Sequence, residues 1–376
     1  MKKRRPLVIS SLLIACFLVL VSSCGPTSTS DSGESTTASG VKGAGSGGPK
    51  KRLILLTNSF SPFWEAGRVG VEAAEKELLV GTNLTATLEP NDGTVLGQIQ
   101  KLRQYVALGD VAGVAISVTD AANAQLAAEM KKLSDQGAFI LTVDADLDTK
   151  FHDSRYAYLG TNNVVGGEVL GACARHLRPE GGEYVTFVGR SSSQNAIERI
   201  GGMEIGAGDK FKNLDSMIDE EDRTRARENV RNAIRNHPGL NCVAGIWSYN
   251  APAIVDVVKE LGKRDEMTVV CFDAEPLAIK QMADGWVDAL VVQNPYQMGY
   301  QSVRLLKALI EDDKKTLVEM FPNYGKPGGD IFDTGLKVIL PLNSPLKGRD
   351  LFADKAEVLQ IDVFRAWLKK YDLTGS

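Results

Sequence analysis

Histidine and cysteine are scarce in this sequence. Its 376 residues include three histidines and five cysteines. His152, His176 and His237 are scattered and share no spacing with a cysteine or carboxylate pattern, so no metal site is expected. Beyond Cys16 and Cys24, which fall in the N-terminal segment, Cys173, Cys242 and Cys271 form an odd set at no metal spacing. They are expected as buried thiols. A Gly-x-Ser-x-Gly elbow, a P-loop and a Cys–His pattern are all missing, so no cofactor or catalytic apparatus is implied. Paired aspartates alone do not make a glycosidase without its fold context. After the N-terminal segment no run of 18 apolar residues occurs, so no later membrane span is expected. No basic cluster is expected after Arg5, and residues past position 24 carry 39 Lys+Arg against 47 Asp+Glu. That balance argues against a nucleic-acid partner.

What is present is an ordinary globular composition, 43% hydrophobic and 24% charged, with an unusual start. Disorder, collagen and a disulfide scaffold are excluded, and the length allows two domains with their own cores. Met1 to Pro6 is basic, and Leu7 to Val21 is apolar apart from Ser10 and Ser11. This run is too short for a comfortable span and reads as an export signal over 1–24. Gly25 to Lys50 holds small residues, prolines and a few charges, with Val41 its single branched aliphatic. Residues 25–51 are therefore expected to form a flexible leash.

From Arg52 onward short apolar runs alternate with segments of helical period. Leu53–Thr57, Leu84–Leu88, Val111–Ser117, Phe139–Val143 and Tyr156–Gly160 read as one series of strands. Tyr184–Val188, Ser216–Asp219, Cys242–Trp247, Met267–Phe272 and Ala289–Gln293 read as a second. Helical stretches such as Phe63–Leu79 and Val164–His176 lie between them. The expected class is α/β, with two doubly wound parallel-sheet lobes. Ligands of such sheets bind beyond the carboxyl ends of the strands. The polar groups there are Asn58-Ser59-Phe60-Ser61 and Ser117, then Asp144, Ser248-Tyr249-Asn250, Asp273 and Gln293-Asn294.

Several of these pieces together resemble a known family. Val21-Ser22-Ser23-Cys24-Gly25 looks like the lipobox of bacterial lipoproteins. Ser61-Pro62-Phe63-Trp64, Thr142-Val143-Asp144, Gly160-Thr161-Asn162-Asn163 and Glu198-Arg199 follow in order. Tyr249-Asn250, Phe272-Asp273, Gln293-x-Pro-x-Gln-x-Gly299 and Asp333-Thr334-Gly335 continue the series. From Leu53 to Leu340 the chain resembles the ribose-binding branch of the periplasmic sugar-binding proteins, substrate receptors of ABC importers. The resemblance implies the type I periplasmic binding protein fold, its lobes joined by a three-segment hinge. Residues 52–161 and 294–325 would form one lobe, and 162–293 and 326–376 the other. Cys24 would carry lipid and tether the chain at the periplasm or cell surface.

The same resemblance implies a ligand site for a monosaccharide or polyol. Phe63 and Trp64 would cover an apolar sugar face, and Asp144 and Asp273 would accept hydroxyl protons. Arg199 would donate, Asn250 would do both, and Gln293 would touch ligand and hinge. Ser117, Thr161 and Tyr249 complete the candidates. Departures are visible too. Ala145 then Asp146 follow Asp144 where the family has Arg, and Glu220 and Glu221 stand where it has a third aromatic. An acidic cleft is expected, disfavouring anionic ligands and leaving a neutral sugar or an amine-bearing one. The expected partners are an ABC permease or, for the same ligand, a sensory protein. The receptor itself is expected to be a monomer. Phe364, Trp367 and Leu368 form an amphipathic stretch expected to pack on its own lobe.

Overall fold

A computed structural model describes residues 49–347, 352 and 355–376. The signal, Cys24 and most of the leash lie outside the described residues. In chain order the first elements are β1 (Lys51–Leu56), α1 (Phe63–Leu78), β2 (Leu84–Glu89), α2 (Val95–Leu108), β3 (Val111–Ile116), α3 (Ala124–Asp135), β4 (Phe139–Val143) and β5 (Tyr158–Gly160). There follow α4 (Asn163–Leu177), β6 (Gly182–Val188), α5 (Gln194–Ala207), β7 (Phe211–Ile218), α6 (Arg223–Asn236), β8 (Leu240–Gly245), α7 (Asn250–Glu260), β9 (Thr268–Phe272), α8 (Pro276–Ala283) and β10 (Ala289–Val292). The chain continues with α9 (Pro295–Ile310), α10 (Lys314–Met320), β11 (Ile331–Asp333), β12 (Lys337–Leu340), β13 (Glu357–Gln360) and α11 (Ile361–Lys370).

The strands form two sheets. The first has the order β11-β5-β4-β3-β1-β2, the second β13-β12-β10-β9-β8-β6-β7. All pairings are parallel except β10 with β12. Both are doubly wound around the same pattern, and strand order reverses between β1 and β3 and again between β6 and β8. At such reversals the flanking helices diverge and leave a crevice past the strand ends. The central strands are continuous Val, Ile, Leu and Ala runs because helices cover both faces.

The chain crosses between the sheets three times: after β5, after β10 and between β11 and β12. The third crossing corrects an expectation. Residues 326–333 are expected in the second lobe, yet β11 pairs with β5 of the first sheet. Arg155 also binds Asp330 at 2.6 Å, so the chain changes sheet only at Thr334–Leu336. Basic residues do gather on one helix, contrary to the expectation of no basic cluster after Arg5. α6 gathers five arginines that a scan for consecutive charges passes over. Arg223, Arg227 and Arg231 are paired with Glu275, Asp256 and Glu260. Phe364 and Leu368 of α11 are buried in the core beneath the second sheet, as their spacing implied.

α4 packs against α5 backbone to backbone through glycine. A Cβ on Gly202 would stand 2.2 Å from the Val164 carbonyl oxygen, and one on Gly206 would stand 2.0 Å from that of Glu168. On α4, Gly167 meets the Arg199 carbonyl at 2.3 Å in the same sense. Backbone packed on backbone thus fixes the helix that carries Arg199. Gly206→Val is expected to destabilise the fold by about 2–3 kcal/mol through overpacking. Gly201, one position before Gly202, faces open space. Gly201→Ala should stabilise by about 0.5–1 kcal/mol through helix propensity. Denaturant midpoints of the two variants measure the contrast; equal effects would show that the interface tolerates a side chain.

Candidate functional site

The two crevices face each other and enclose one cavity. From the first sheet's side come the β1–α1 loop with Asn58 and Ser61, the aromatic pair Phe63 and Trp64, and Asp144 after β4. From the second come Asn195 and Arg199 of α5, Glu221 and Arg223 after β7, Trp247, Ser248 and Tyr249 after β8, then Asp273 and Gln293. The lobes touch at the rim. Ala121 N–H donates to the Ser192 carbonyl at 3.2 Å, and the Ser193 hydroxyl to the Thr119 carbonyl at 3.2 Å. The form described is therefore closed.

Asp144 and Asp273 occupy equivalent places. Each follows the fourth strand of its doubly wound set. Each donates its backbone N–H to the next strand, Asp144 to Leu159 and Asp273 to Val291. Each has left-handed backbone, with φ of 63° and 60°. Aspartate tolerates that conformation better than most residues, yet it remains a strained choice that the surrounding structure must enforce. The strain turns both carboxylates into the cavity instead of along the strand. Ser117 donates to Asp144 at 3.0 Å, and the Gln293 side-chain amide donates to Asp273 at 3.2 Å. Neither aspartate caps a helix: Asp148 caps the short 3-10 helix Thr149–Ser154 that follows Asp144, and Glu275 stands at the N-cap of α8.

Arg199 lies between them, 1% exposed. Its Nε donates to Asn163 at 2.9 Å and its Nη1 to the Ile246 carbonyl at 3.2 Å. The guanidinium stacks over Phe272 at 4.4 Å. It stands 3.8 Å from Asp144 and 4.0 Å from Asp273, near enough to attract and too far for a hydrogen bond. Burial raises the pKa of both carboxyls and Arg199 opposes the rise; Asp273 is pushed up to about 6.

The aromatic pair serves cavity and core together. Phe63 and Trp64 are perpendicular with ring centroids 5.0 Å apart, both buried against the first sheet. The indole N–H donates to Asn58 at 3.0 Å, which orients the ring. Behind Trp247 and Tyr249 sits a buried node. Asp219 accepts from the Tyr249 hydroxyl, from Asn250 at 3.1 Å and from the Glu221 backbone at 2.9 Å. Burial pushes its carboxyl up to about 6.

Seven of the ten candidate residues line the cavity: Phe63, Trp64, Asp144, Arg199, Tyr249, Asp273 and Gln293. Three do not. Asn250 is fully buried, accepting from Trp247 N–H at 3.0 Å and donating to Asp219, so it fixes the loop. Ser117 stands behind Asp144, and the Thr161 backbone carbonyl accepts from the Tyr158 hydroxyl at the first crossing. Asp146 does not line the cavity either: Arg155 grips both its oxygens, at 2.8 and 2.7 Å. With Arg223 at the wall and Glu221 paired to Arg190, the lining is less acidic than expected. Asn195, Arg223 and Ser248 were not among the candidates. Asn195 opens a helix after a strand end, a position that itself marks a candidate.

A family model described as a periplasmic binding protein domain matches residues 53–315. The chain belongs to that family. Among relatives of this periplasmic binding protein, the D-allose-binding periplasmic protein of Escherichia coli is 23% identical over 278 residues, 72% of this chain and 88% of its own. The ribose import binding protein RbsB of Salmonella typhimurium is 24% identical over 264 residues, 69% and 85%. A solute-binding protein from Burkholderia graminis, solved with D-arabinose, superposes with TM-score 0.68 at 24% identity, covering 78% of this chain and 96% of its own. One from Agrobacterium vitis with bound D-fucose gives 0.69 at 19%, covering 80% and 98%. These relatives are binding proteins, not enzymes. Among the described residues no cluster of three or more His, Cys, Asp or Glu side chains could hold a metal, and no helix is long and apolar enough to cross a membrane.

Raised carboxyl pKa values link the site to folding. Asp219 and Asp273 bind protons near pH 6 when folded and near 4 when unfolded. Between those values the folded protein holds more protons, so their contribution to stability falls as pH rises from 4 to 6. Asp219→Asn and Asp273→Asn should each remove on the order of 2 kcal/mol of that fall. Denaturant midpoints from pH 4 to 7 test this; variants that keep the parental pH slope would contradict it.

Proposed function

We propose that this chain is an extracytoplasmic, lipid-anchored solute receptor that binds a small neutral carbohydrate between two closing lobes and delivers it to an ABC importer. One observation carries the reading. Arg199 Nη2, Asn195 Oδ1 and Gln293 Oε1 are buried at the wall of the same cavity and have no hydrogen-bond partner in the protein. Unpaired buried polar atoms are costly, so a wall of them calls for a polar ligand. A sugar hydroxyl donates and accepts at once, which suits two carboxylates flanking one guanidinium. The rings of Phe63 and Trp64 offer an apolar surface for its C–H face.

The named relatives are described with D-allose, ribose, D-arabinose and D-fucose, all monosaccharides. The magnitudes agree. Micromolar binding of such a ligand requires about −8 kcal/mol, roughly −0.7 per heavy atom and within the limit for very small ligands. Ligand contacts from both lobes favour the closed form, and that differential affinity drives closure. The lipobox-like sequence at Cys24 and the leash after it support a tether at the periplasm or cell surface, with the receptor acting as a monomer. A second reading rests on Ala145, which leaves Arg199 as the one guanidinium between two buried carboxylates. An amine-bearing sugar would complement that balance.

A thermal-shift screen of the purified protein against pentoses, hexoses, inositols and amino sugars tests both readings. A ligand at 100 times its Kd should add about 2.7 kcal/mol of stability. The expected result is a shift with a neutral monosaccharide that Asp273→Ala abolishes. A shift with amines alone would replace the neutral-sugar reading by the amine one, and no shift with any of them would overturn both.

A further inference from the structure

The segment after α11 returns to the ligand cavity from behind. Leu373 is buried in the core beneath the second sheet, and residues 374–376 then run beside 273–276. Ala274 N–H donates to the Ser376 carbonyl at 2.6 Å, and Ser376 N–H returns the bond to the Ala274 carbonyl at 3.0 Å. The Ser376 hydroxyl donates to the Gln293 carbonyl at 3.1 Å. Ser376 is 3% exposed. At Gly375 a Cβ would stand 2.6 Å from the Ala274 carbonyl oxygen and 3.0 Å from Pro276, so a larger residue would push the segment away. Thr374 to Ser376 also line a cavity with Pro62 and Phe63 of the opposite lobe.

The two residues gripped are informative. Ala274 directly follows Asp273, whose left-handed backbone has to be held by its surroundings. Gln293 is the residue that donates to the Asp273 carboxylate. The matched family domain ends at residue 315, so this support is supplied by chain beyond it. We propose that Leu373–Ser376 is a positioning element of the ligand site, a splint that holds Asp273 and Gln293 in their binding geometry. The proposal rests on the reading of Asp273 and Gln293 as ligand-binding residues. A merely structural segment would close the core through Leu373 and leave the carboxylate unaffected.

The test uses Gly375→Leu, Ser376→Ala and Ser376→Thr in the 376-residue chain. Two readouts are followed. One, on ligand-free protein, is amide exchange at Ala274 together with the pH midpoint of the Asp273 carboxyl carbon by NMR. The other is the Kd for whichever monosaccharide stabilises the parent protein. Gly375→Leu should speed Ala274 exchange, move the Asp273 midpoint and weaken binding about tenfold, the equivalent of one or two lost hydrogen bonds. Ser376→Ala should weaken binding about threefold and Ser376→Thr should restore it. These two serine variants decide the matter if Gly375→Leu fails to fold. Faster exchange with an unmoved Asp273 midpoint and unchanged Kd would overturn the splint. A parent that binds no sugar would count against the proposed function, while the Asp273 midpoint would still decide the splint.

Discussion

One guanidinium between two carboxylates organises this molecule. Arg199 faces Asp144 from one lobe and Asp273 from the other, at separations just beyond hydrogen bonding. A buried charge needs partners, and a buried ion pair is stable only where its remaining donors and acceptors are satisfied. Here the satisfaction is partial. Asn163, the Ile246 carbonyl and the Phe272 ring hold the guanidinium in place, while one of its nitrogens stays free. The site is a network with a gap, and the proposed function fills it with ligand hydroxyl groups.

The rest of the fold holds that gap open and aimed. The glycine interface of α4 and α5 seats the Arg199 helix on the crossing that carries Asn163. Matching left-handed turns after β4 and β9 point the two carboxylates inward. Repeating one winding pattern in both sheets brings two strand-end crevices face to face. Because each lobe contributes one of the two carboxylates, the charge balance around Arg199 is complete only when the lobes are together. Under the proposed function, a ligand that touches both carboxylates binds the closed form better than an open one and so shifts the lobes toward closure.

Much of this was legible in the sequence, for physical reasons that also explain the misses. Buried parallel strands write themselves as runs of Val, Ile and Leu, so five strands of each sheet could be read directly, while β11, β12 and β13, added at the sheet edges late in the chain, could not. Asp144 and Asp273 stood out as charged residues ending apolar strands. Asn250 was misread because an asparagine at a helix start can face a ligand or brace its own loop, and sequence does not show Asp219 beside it. Asp146 was misread because adjacency to Asp144 says nothing of direction, and its partner Arg155 is nine residues away. The third crossing was misplaced because the three-residue β11, Ile331–Asp333, is too short to read as an apolar strand. The arginines of α6 escaped because their partners appear only at helical spacing and on a neighbouring helix.

In the proposed complex, ligand hydroxyls occupy the space between Arg199 and the two aspartates. A crystal structure with the stabilising monosaccharide at saturation tests it most directly. The account predicts hydroxyl oxygens within about 2.6–3.2 Å of Arg199 Nη2 and of both carboxylates, with ligand bridging the guanidinium to each acid. A closed structure in which Arg199 bonds Asp144 and Asp273 directly, with the sugar bound elsewhere, would contradict it.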